Sequence, residues 1–272
     1  MVPRIVWAVF ILSCLVLSSC GGSSTKPSIP LSSITDGNWS IVATSTASPA
    51  GVFTLGGSLV QSGSSVTGLL NQFSDSSCFS GTTVPFAGTL NGDSLTLTSS
   101  ALAGQLVTIN VIGSGGSFAG TYSVAGGCAG GDKGSITANY VPPLTGTWSG
   151  NLTNPDGTVL VNPSNGTVVT ANLTLTQSPT ATNGNFPLTG TIALGGGLAC
   201  FTAGAIPGSG ASARAYVTGN TVLISAGDAQ GGPAKLFYVG QLTSTNVARI
   251  SGRYFPGGCP VTALGNFVKM GS

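Results

Sequence analysis

Histidine and glutamate are absent from this sequence, and charged residues of every kind make up only 5% of its 272 residues. Histidine is the commonest general base and metal ligand in proteins, so no Ser-His or Cys-His nucleophile is available. The net charge is only +2, and basic residues are not interleaved with aromatics as in nucleic-acid-binding chains. We therefore expect a protein that is not an enzyme and has no nucleic-acid partner.

The acidic residues are six aspartates, and almost all of them lie beside Gly, Ser or Asn, where Asp caps backbone N–H groups in turns. No two have a spacing that suits acid and base catalysis, and neither a phosphate-binding Gly-rich loop nor a D-x-D calcium loop is found. We expect no catalytic residue, no bound metal and no cofactor. The aspartates are Asp36, Asp75, Asp93, Asp132, Asp156 and Asp228.

Apolar residues make up 41% of the chain, which is enough to build one large core or two ordinary ones. Since charge is scarce, Gly, Ser, Thr and Asn must cover the surface. Such surfaces suit extracellular and cell-envelope proteins.

The N-terminal residues 1–19 have the anatomy of a signal peptide, with a basic start at Arg4 and an apolar run from Ile5 to Leu17. That run is shorter than the roughly 20 residues of a membrane-spanning helix. The following Leu-Ser-Ser-Cys, ending at Cys20, resembles the lipobox of bacterial lipoproteins. The resemblance implies that Cys20 is acylated and that the membrane is a partner through this lipid. In that family an Asp after the cysteine often favours the inner membrane, so Gly21 implies lipid anchoring in the outer membrane of the cell envelope.

Three marks recur in the same order along the chain, which indicates a duplication. Gly-x-Trp occurs at Trp39 and Trp148, Cys-Phe occurs twice, and "GTYSVAGGC" returns as "GRYFPGGC". The spacing grows in the second copy, so its extra residues are expected in loops such as "TNPDGTVLVNPSNG", where insertions cost little. Residues 20–33 form a Gly-, Ser- and Pro-rich tether after the lipidated cysteine, and "YVPPLTG" separates a domain at 34–141 from one at 142–272.

Short alternating runs rich in Val, Thr, Leu and Ile predict β-strands, and helical periodicity is missing. Asn91-Gly92 predicts a type I′ hairpin turn, and Gly219-Asn220 marks its counterpart. The predicted fold is all-β, with two tandem duplicated antiparallel β-barrel or sandwich domains of about eight strands each. In the first copy the strands are expected near 38–45, 52–61, 65–73, 82–90, 94–99, 105–113, 117–124 and 134–141.

Of the six cysteines, Cys14 leaves with the signal peptide and Cys20 carries lipid, so two remain in each copy. Export permits disulfides, and the repeat predicts the pairs Cys78–Cys128 and Cys200–Cys259. Each would close a loop of 50 to 60 residues and stabilise the fold by about 4 kcal/mol. The alternative, a zinc site made from all four, lacks any C-x-x-C spacing.

The Gly-x-Trp at the start of each run of strands resembles the first strand of lipocalins and related calycin barrels, whose Trp closes one barrel end. In those barrels an Arg from a late strand often packs on the Trp, a role that the resemblance gives to Arg253 in the second copy. The first copy departs from the pattern with Thr121. The alternative is a Trp that simply fills a β core.

Charge is divided unequally between the copies: one Lys opposes four Asp in residues 34–141, and five basic residues oppose two Asp from residue 142 onward. The copies could dock on one another through these charges, or the second could meet an anionic ligand or surface. Arg249 and Arg253 are four residues apart in a predicted strand and so share a face, which makes them the candidate anion contacts. The alternative is scattered, solvated charge.

The sequence as a whole predicts a lipid-anchored envelope protein with a non-catalytic surface interaction or structural role, and a protein or glycan partner at that surface. The alternative is a calycin-like carrier that binds a small apolar ligand inside a barrel. A hydrolase acting on cell-wall material is a more distant third. A filled or hollow barrel interior would discriminate the first two.

Overall fold

The computed structural model describes residues 33–47, 52–73, 83–198, 201–210, 213–228, 232–243, 249–256 and 262–271. All the regular secondary structure in these ranges is β-strand. Within them we find no helix whose length and hydropathy would let it cross a membrane. The strands are β1 Gly37–Ser45, β2 Val52–Ser62, β3 Ser65–Phe73, β4 Thr83–Asn91, β5 Ser94–Ser99, β6 Leu106–Ser114, β7 Ser117–Ala125, β8 Lys133–Val141, β9 Gly146–Thr153, β10 Thr170–Gln177, β11 Phe186–Leu198, β12 Phe201–Ile206, β13 Ala215–Thr218, β14 Thr221–Ala226, β15 Leu236–Leu242, β16 Arg249–Pro256 and β17 Ala263–Lys269.

The first eight strands form a closed antiparallel barrel, in which each strand pairs with the next and β8 pairs back with β1. Alternate side chains point inward, as the period of two in the sequence requires. In β5, for example, Leu95 and Leu97 are buried while Ser94 and Thr98 face solvent. The predicted barrel is confirmed, and each strand lies within one or two residues of the predicted range.

The second barrel closes through the same ring of eight strand positions, with β10 paired to both β9 and β11. It contains nine strands because the position held by β4 in the first barrel is divided between β12 and β13. Both of these pair with the same side of the long strand β11. The residues between them, 207–214, are an insertion that the first copy lacks. The all-β prediction of two tandem barrels is confirmed, with one strand of the second copy split.

Both predicted hairpins are present, but the first turn lies one residue later than expected. Asn91 pairs with Ser94, so the two-residue loop is Gly92–Asp93, with a positive φ of 57° at Gly92. The second loop is Gly219–Asn220, and Gly219 has a φ of 53°. The second corner residues, Asp93 and Asn220, are not among the non-glycine residues with positive φ, so both turns are of type II′ rather than the predicted type I′, which needs a positive φ at both corners.

Each barrel has its own hydrophobic core, and both belong to one compact unit, Leu31–Ser272. Trp39, Phe118 and Leu70 lie in the first core, and Trp148 and Phe267 in the second. The predicted signal peptide at 1–19 and most of the tether at 20–33 lie outside the described residues. The two barrels therefore set the framework for any site.

Candidate functional site

The repeated tryptophans occupy the same corner of the two barrels. Trp39 and Trp148 are fully buried, and each indole Nε1 donates a 2.9 Å hydrogen bond to the carbonyl four residues earlier, on Thr35 and Leu144. The backbone at Gly37 and Gly146, two residues before each Trp, has the same φ of 138°. The Gly-x-Trp motif thus builds one local structure twice.

A residue of the last strand covers each Trp ring, and it is not the expected arginine. Tyr140 packs edge-on against Trp39 at 6.1 Å between ring centroids, and the Lys269 Nζ lies 5.9 Å from the Trp148 centroid. Arg253 instead faces solvent on β16, next to Leu264 of β17. The prediction that Arg253 covers this Trp is wrong, because Lys269 is the residue paired with Trp148 across the strands.

Asp132 joins the end of the first barrel through two side-chain hydroxyl groups. Its Oδ1 accepts from the Ser45 hydroxyl at 2.5 Å, and its Oδ2 accepts from the Tyr122 hydroxyl at 2.9 Å. Burial, and then the bond to the Asp132 carboxylate, raise the pKa of Tyr122 to about 12. Asp132 therefore does more than the predicted capping of a turn, because it links its own loop to β1 through Ser45 and to β7 through Tyr122.

The equivalent tyrosine of the second barrel has a different environment. Tyr254 is fully buried, and its hydroxyl has no hydrogen-bond partner among the described residues. Burial raises its pKa further than that of Tyr122. The repeated string predicted that these tyrosines correspond, but it did not predict that only the first is bonded to a carboxylate.

Three of the other described aspartates, Asp36, Asp156 and Asp228, accept hydrogen bonds from backbone N–H groups. Asp156 accepts from the backbone and hydroxyl of Thr158, which lowers the pKa of this exposed carboxyl. Asp228 accepts from the Gly232 N–H at 2.7 Å and lies 3.5 Å from the Lys235 Nζ. Asp36 reaches across to the next strand, where it accepts from the Gln61 N–H at 2.8 Å. Asp75 lies outside the described residues.

An apolar cavity lies inside the first barrel, at the end away from Trp39. Its volume is about 10 Å³, which is about the least that holds one water molecule. The Gln72 side chain borders it and is buried, and its Nε2 has no hydrogen-bond partner among the described residues. Side chains fill this part of the barrel. The other lining residues are Phe53, Leu55, Val84, Phe86, Ser99, Leu102 and Val107.

The two barrels meet along a buried polar seam, whose centre is the hairpin corner Thr218–Gly219 of the second barrel. The Asn38 amide bonds both backbone groups of Gly219: it donates to the carbonyl at 3.0 Å and accepts from the N–H at 2.7 Å. Thr218 donates to the Gly56 carbonyl at 2.9 Å. Asn38, Gly56, Thr218 and Gly219 are all buried, so these polar groups satisfy each other in place of water.

The loop between β10 and β11, residues 178–185, extends the seam. The Asn71 Nδ2 lies 3.2 Å from the Asn183 carbonyl, 3.1 Å from the Asn185 Oδ1 and 3.2 Å from the Thr218 Oγ1. The first copy has only the two residues Gly63–Ser64 at this position. The longer loop of the second copy is therefore part of the contact between barrels, and these bonds join neutral groups rather than opposite charges.

The seam does not follow from any predicted motif, although the sequence contains one signal for it. Gly56 lies inside a strand, where a glycine often marks a close approach of another backbone. A Cβ at Gly56 would lie only 2.7 Å from the Gly219 nitrogen and the Thr218 carbonyl oxygen. The partner of such a glycine cannot be read from the sequence.

A cleft with a volume of about 390 Å³ opens beside the seam, within the range of small-molecule sites. The first barrel contributes one wall and the second barrel the other. Among the residues that the structure describes, Asp36 is the only ionisable one that lines it, and the Ser58 and Thr180 hydroxyls are further polar groups. The remaining lining residues are Gly37, Val60, Pro179, Ala181 and Phe186.

Arg249 and Arg253 lie outside this cleft, on the outer face of β16. Both are exposed and point to the same side of the strand, as their spacing predicted. Val268 pairs with Arg249 and Val239 with Arg253, and both valines are also exposed. Their proposed role as anion contacts stays a prediction.

Cys128 is the one predicted disulfide cysteine within the described ranges, and it is disulfide-bonded. Its partner lies outside those ranges, as do Cys78, Cys200, Cys259 and the predicted lipidation site Cys20, so both pairings stay predictions. In the part of the chain that the structure describes, no three His, Cys, Asp or Glu side chains form a group that could hold a metal ion.

Comparison with protein families, with curated proteins and with solved structures finds no match to this chain. The closed barrels are consistent with a calycin-like fold, and they are compatible with either a binding or a structural role.

Proposed function

We propose that this chain is a cell-envelope lipoprotein whose two joined barrels form a non-catalytic interaction or structural module. The observation that carries the proposal is the seam, where Asn38, Gly56, Thr218 and Gly219 are buried in matched hydrogen bonds. Groups of this kind weaken a contact unless their geometry is good, because each must be removed from water. A well-paired seam of this kind holds the two barrels in one arrangement, which a protein needs if its interaction surface is formed by both domains.

The lipid anchor of this proposal rests on the lipobox resemblance at Cys20. The test is to express the full chain in a bacterial host that is fed an alkyne-bearing palmitate, and then to separate the membranes. We expect label and membrane association in the wild type, and loss of both in Cys20→Ala. Cys14→Ala is the matched control and should keep both. Label retained in Cys20→Ala would refute this anchor.

The outer-membrane location rests on Gly21 and has its own test. Membranes from the same cells are separated on a density gradient. The wild type should sediment with the outer membrane, and Gly21→Asp should move towards the inner membrane if the sorting pattern of the family applies. Identical profiles that coincide with the inner membrane would contradict this location.

A calycin-like carrier is the second candidate function, and the buried Gln72 Nε2 without a described partner is the observation that favours it. The cavity beside this amide has a volume of about 10 Å³, enough for one water molecule, so a bound ligand would have to displace the side chains that fill the barrel there. Native mass spectrometry of the purified full chain discriminates the two functions. A mass that equals the acylated chain with two disulfides supports the interaction module, whereas an additional molecule released by organic solvent supports the carrier.

We also propose that Arg249 and Arg253 contact an anionic surface, since both point outward beside exposed valines. Near a membrane each such charge contributes about 1 kcal/mol. Arg249→Gln together with Arg253→Gln should weaken binding of the protein to vesicles rich in phosphatidylglycerol, whereas Arg214→Gln with Lys235→Gln should change it less. Equal binding by the two double variants would refute this role.

A further inference from the structure

We propose that the cleft between the barrels binds a neutral, hydroxyl-rich saccharide. The proposal rests on the proposed function, because it names the ligand class of the interaction module. It is carried by the composition of the cleft, by its rigidity and by its volume.

The charge of the cleft excludes one large class of ligands. Asp36 is exposed and carries a carboxyl group, and neither Lys nor Arg is among the described residues that line the cleft. A phosphate or carboxylate ligand would therefore meet a like charge without a compensating cation. A neutral molecule with hydroxyl groups is favoured instead, because a carboxylate accepts hydrogen bonds from O–H donors.

The walls of the cleft match the two sides of a sugar ring. Ser58 on one wall and Thr180 on the other supply hydroxyl groups that both donate and accept hydrogen bonds. Val60 is 48% exposed, and Pro179 and Ala181 face it from the second barrel. These three residues offer C–H surface for the apolar face of the ring, while the polar groups bind its hydroxyls.

The cleft is rigid because its two walls are fixed to each other by the adjacent seam. Ser58 is the strand neighbour of Asn38, which is bonded to Gly219 of the second barrel. The wall that carries Thr180 belongs to the same loop as Asn183 and Asn185, which contact Asn71. A ligand that binds between the barrels therefore does not have to order them first, and this lowers the free-energy cost of binding.

The test uses the full chain, purified from membranes in a detergent without a sugar headgroup, and isothermal titration calorimetry. The probes are three neutral trisaccharides, namely cellotriose, maltotriose and chitotriose, with trigalacturonic acid as the anionic comparison. We expect the wild type to bind at least one neutral probe and to bind trigalacturonic acid more weakly.

Two kinds of variant locate the binding. Val60→Trp and Thr180→Trp fill the cleft from opposite walls and should abolish binding, whereas Ala119→Trp adds the same bulk to an exposed strand position elsewhere and should not. Asp36→Asn keeps the oxygen that accepts from Gln61 but removes the charge, and we expect affinity to fall about tenfold, as for loss of a hydrogen bond to a charged group. Asp156→Asn is the matched control and should bind like the wild type.

Three results would overturn the proposal: no binding of any neutral trisaccharide by the wild type, unchanged binding in both folded tryptophan variants, or tighter binding of trigalacturonic acid. Near-ultraviolet circular dichroism establishes that each variant is folded. None of these results affects the labelling experiment at Cys20, so a failure of this inference is distinguishable from a failure of the proposed anchor.

Discussion

At the scale of single residues, Tyr122 and Tyr254 show how two copies of one motif diverged. Both are buried at the same position of their barrels, but only Tyr122 donates to a carboxylate. A buried hydroxyl without a partner costs free energy, whereas one bonded to a charged acceptor stabilises. The duplication therefore provides a matched pair of tyrosines in one molecule.

We predict opposite results when these hydroxyls are removed. Tyr122→Phe should lower the free energy of unfolding by about 1.5 to 3 kcal/mol, because Asp132 loses a charge-assisted hydrogen bond. Tyr254→Phe should leave it unchanged or raise it, because the variant removes a group without a described partner. Urea unfolding of the two variants beside the wild type measures both effects, and a larger loss in Tyr254→Phe would contradict the assignment.

The raised tyrosine pKa values predict sensitivity to alkali. The pKa of Tyr122 rises from 10.0 in the free side chain to about 12, and those of Tyr238 and Tyr254 are raised by burial as well. Between these two pH values the folded state keeps protons that the unfolded state releases, so the free energy of unfolding falls as pH rises. Below pH 10 this contribution is fully present.

The measurement is a titration from pH 9 to above 12, followed by tyrosinate absorbance and by circular dichroism. We expect the buried tyrosines to ionise together with loss of the fold, and the slope of stability against pH to be smaller in Tyr122→Phe. Ionisation of Tyr122 near pH 10 in the folded protein would show that its environment is not the one described.

At the scale of elements, the second copy differs from the first mainly in its connections. One insertion splits the strand position of β4 into β12 and β13, and another lengthens the β10–β11 loop to residues 178–185. Loop insertions cost little in chain entropy, so they are tolerated without change to the ring of strands. The second insertion contributes to the contact between the barrels, since Asn183 and Asn185 accept hydrogen bonds from Asn71 of the first barrel.

We predict that replacing residues 178–185 with the Gly-Ser pair of the first copy weakens the coupling of the barrels but leaves both folded. Differential scanning calorimetry should then show two unfolding transitions in the variant, where the wild type shows one. The matched control shortens the exposed turn at residues 163–166, whose described hydrogen bonds stay within the second barrel. Two transitions in the control alone would contradict the prediction.

At the scale of the whole molecule, the seam joins the two barrels through different surfaces of each, although the barrels are copies of one another. The first barrel contributes a strand surface with Asn38 and Gly56, and the second contributes a hairpin corner. The pairing registers place Thr147 and Asn172 of the second barrel where the first has Asn38 and Gly56. At the first of these positions the second barrel therefore has no amide to bond a hairpin, and at the second it has a side chain where the first barrel leaves the backbone bare.

Gly56→Ala tests the seam directly. The added Cβ would lie 2.7 Å from backbone atoms of Thr218 and Gly219, and such overpacking costs about 1 to 3 kcal/mol. We expect the barrels to separate, with a larger radius of gyration by small-angle X-ray scattering. Gly116→Ala is the control, because its new Cβ meets only the Tyr140 Cβ at 3.4 Å. An unchanged radius and stability in Gly56→Ala would argue against the seam.

The sequence by itself determined the all-β class, the duplication and nearly every strand of the first barrel. These properties are local: a period of two in apolar residues and glycines at the corners act over a few neighbouring positions. The turn at Gly92 was misplaced by one residue because Asn91 and Gly92 both favour a corner, and the pairing of Asn91 with Ser94 decided between the two possible loops.

Tertiary structure alone decided the seam, the cleft and the residue that covers each Trp. Asn38 and Gly219 are 181 residues apart, and Thr218 and Gly56 are 162 apart. No local pattern encodes such partners, because they depend on how two finished barrels pack. Lys269 rather than Arg253 lies over Trp148 for a related reason: the register between β17 and β9 places Lys269 beside that ring, whereas Arg253 on β16 faces solvent.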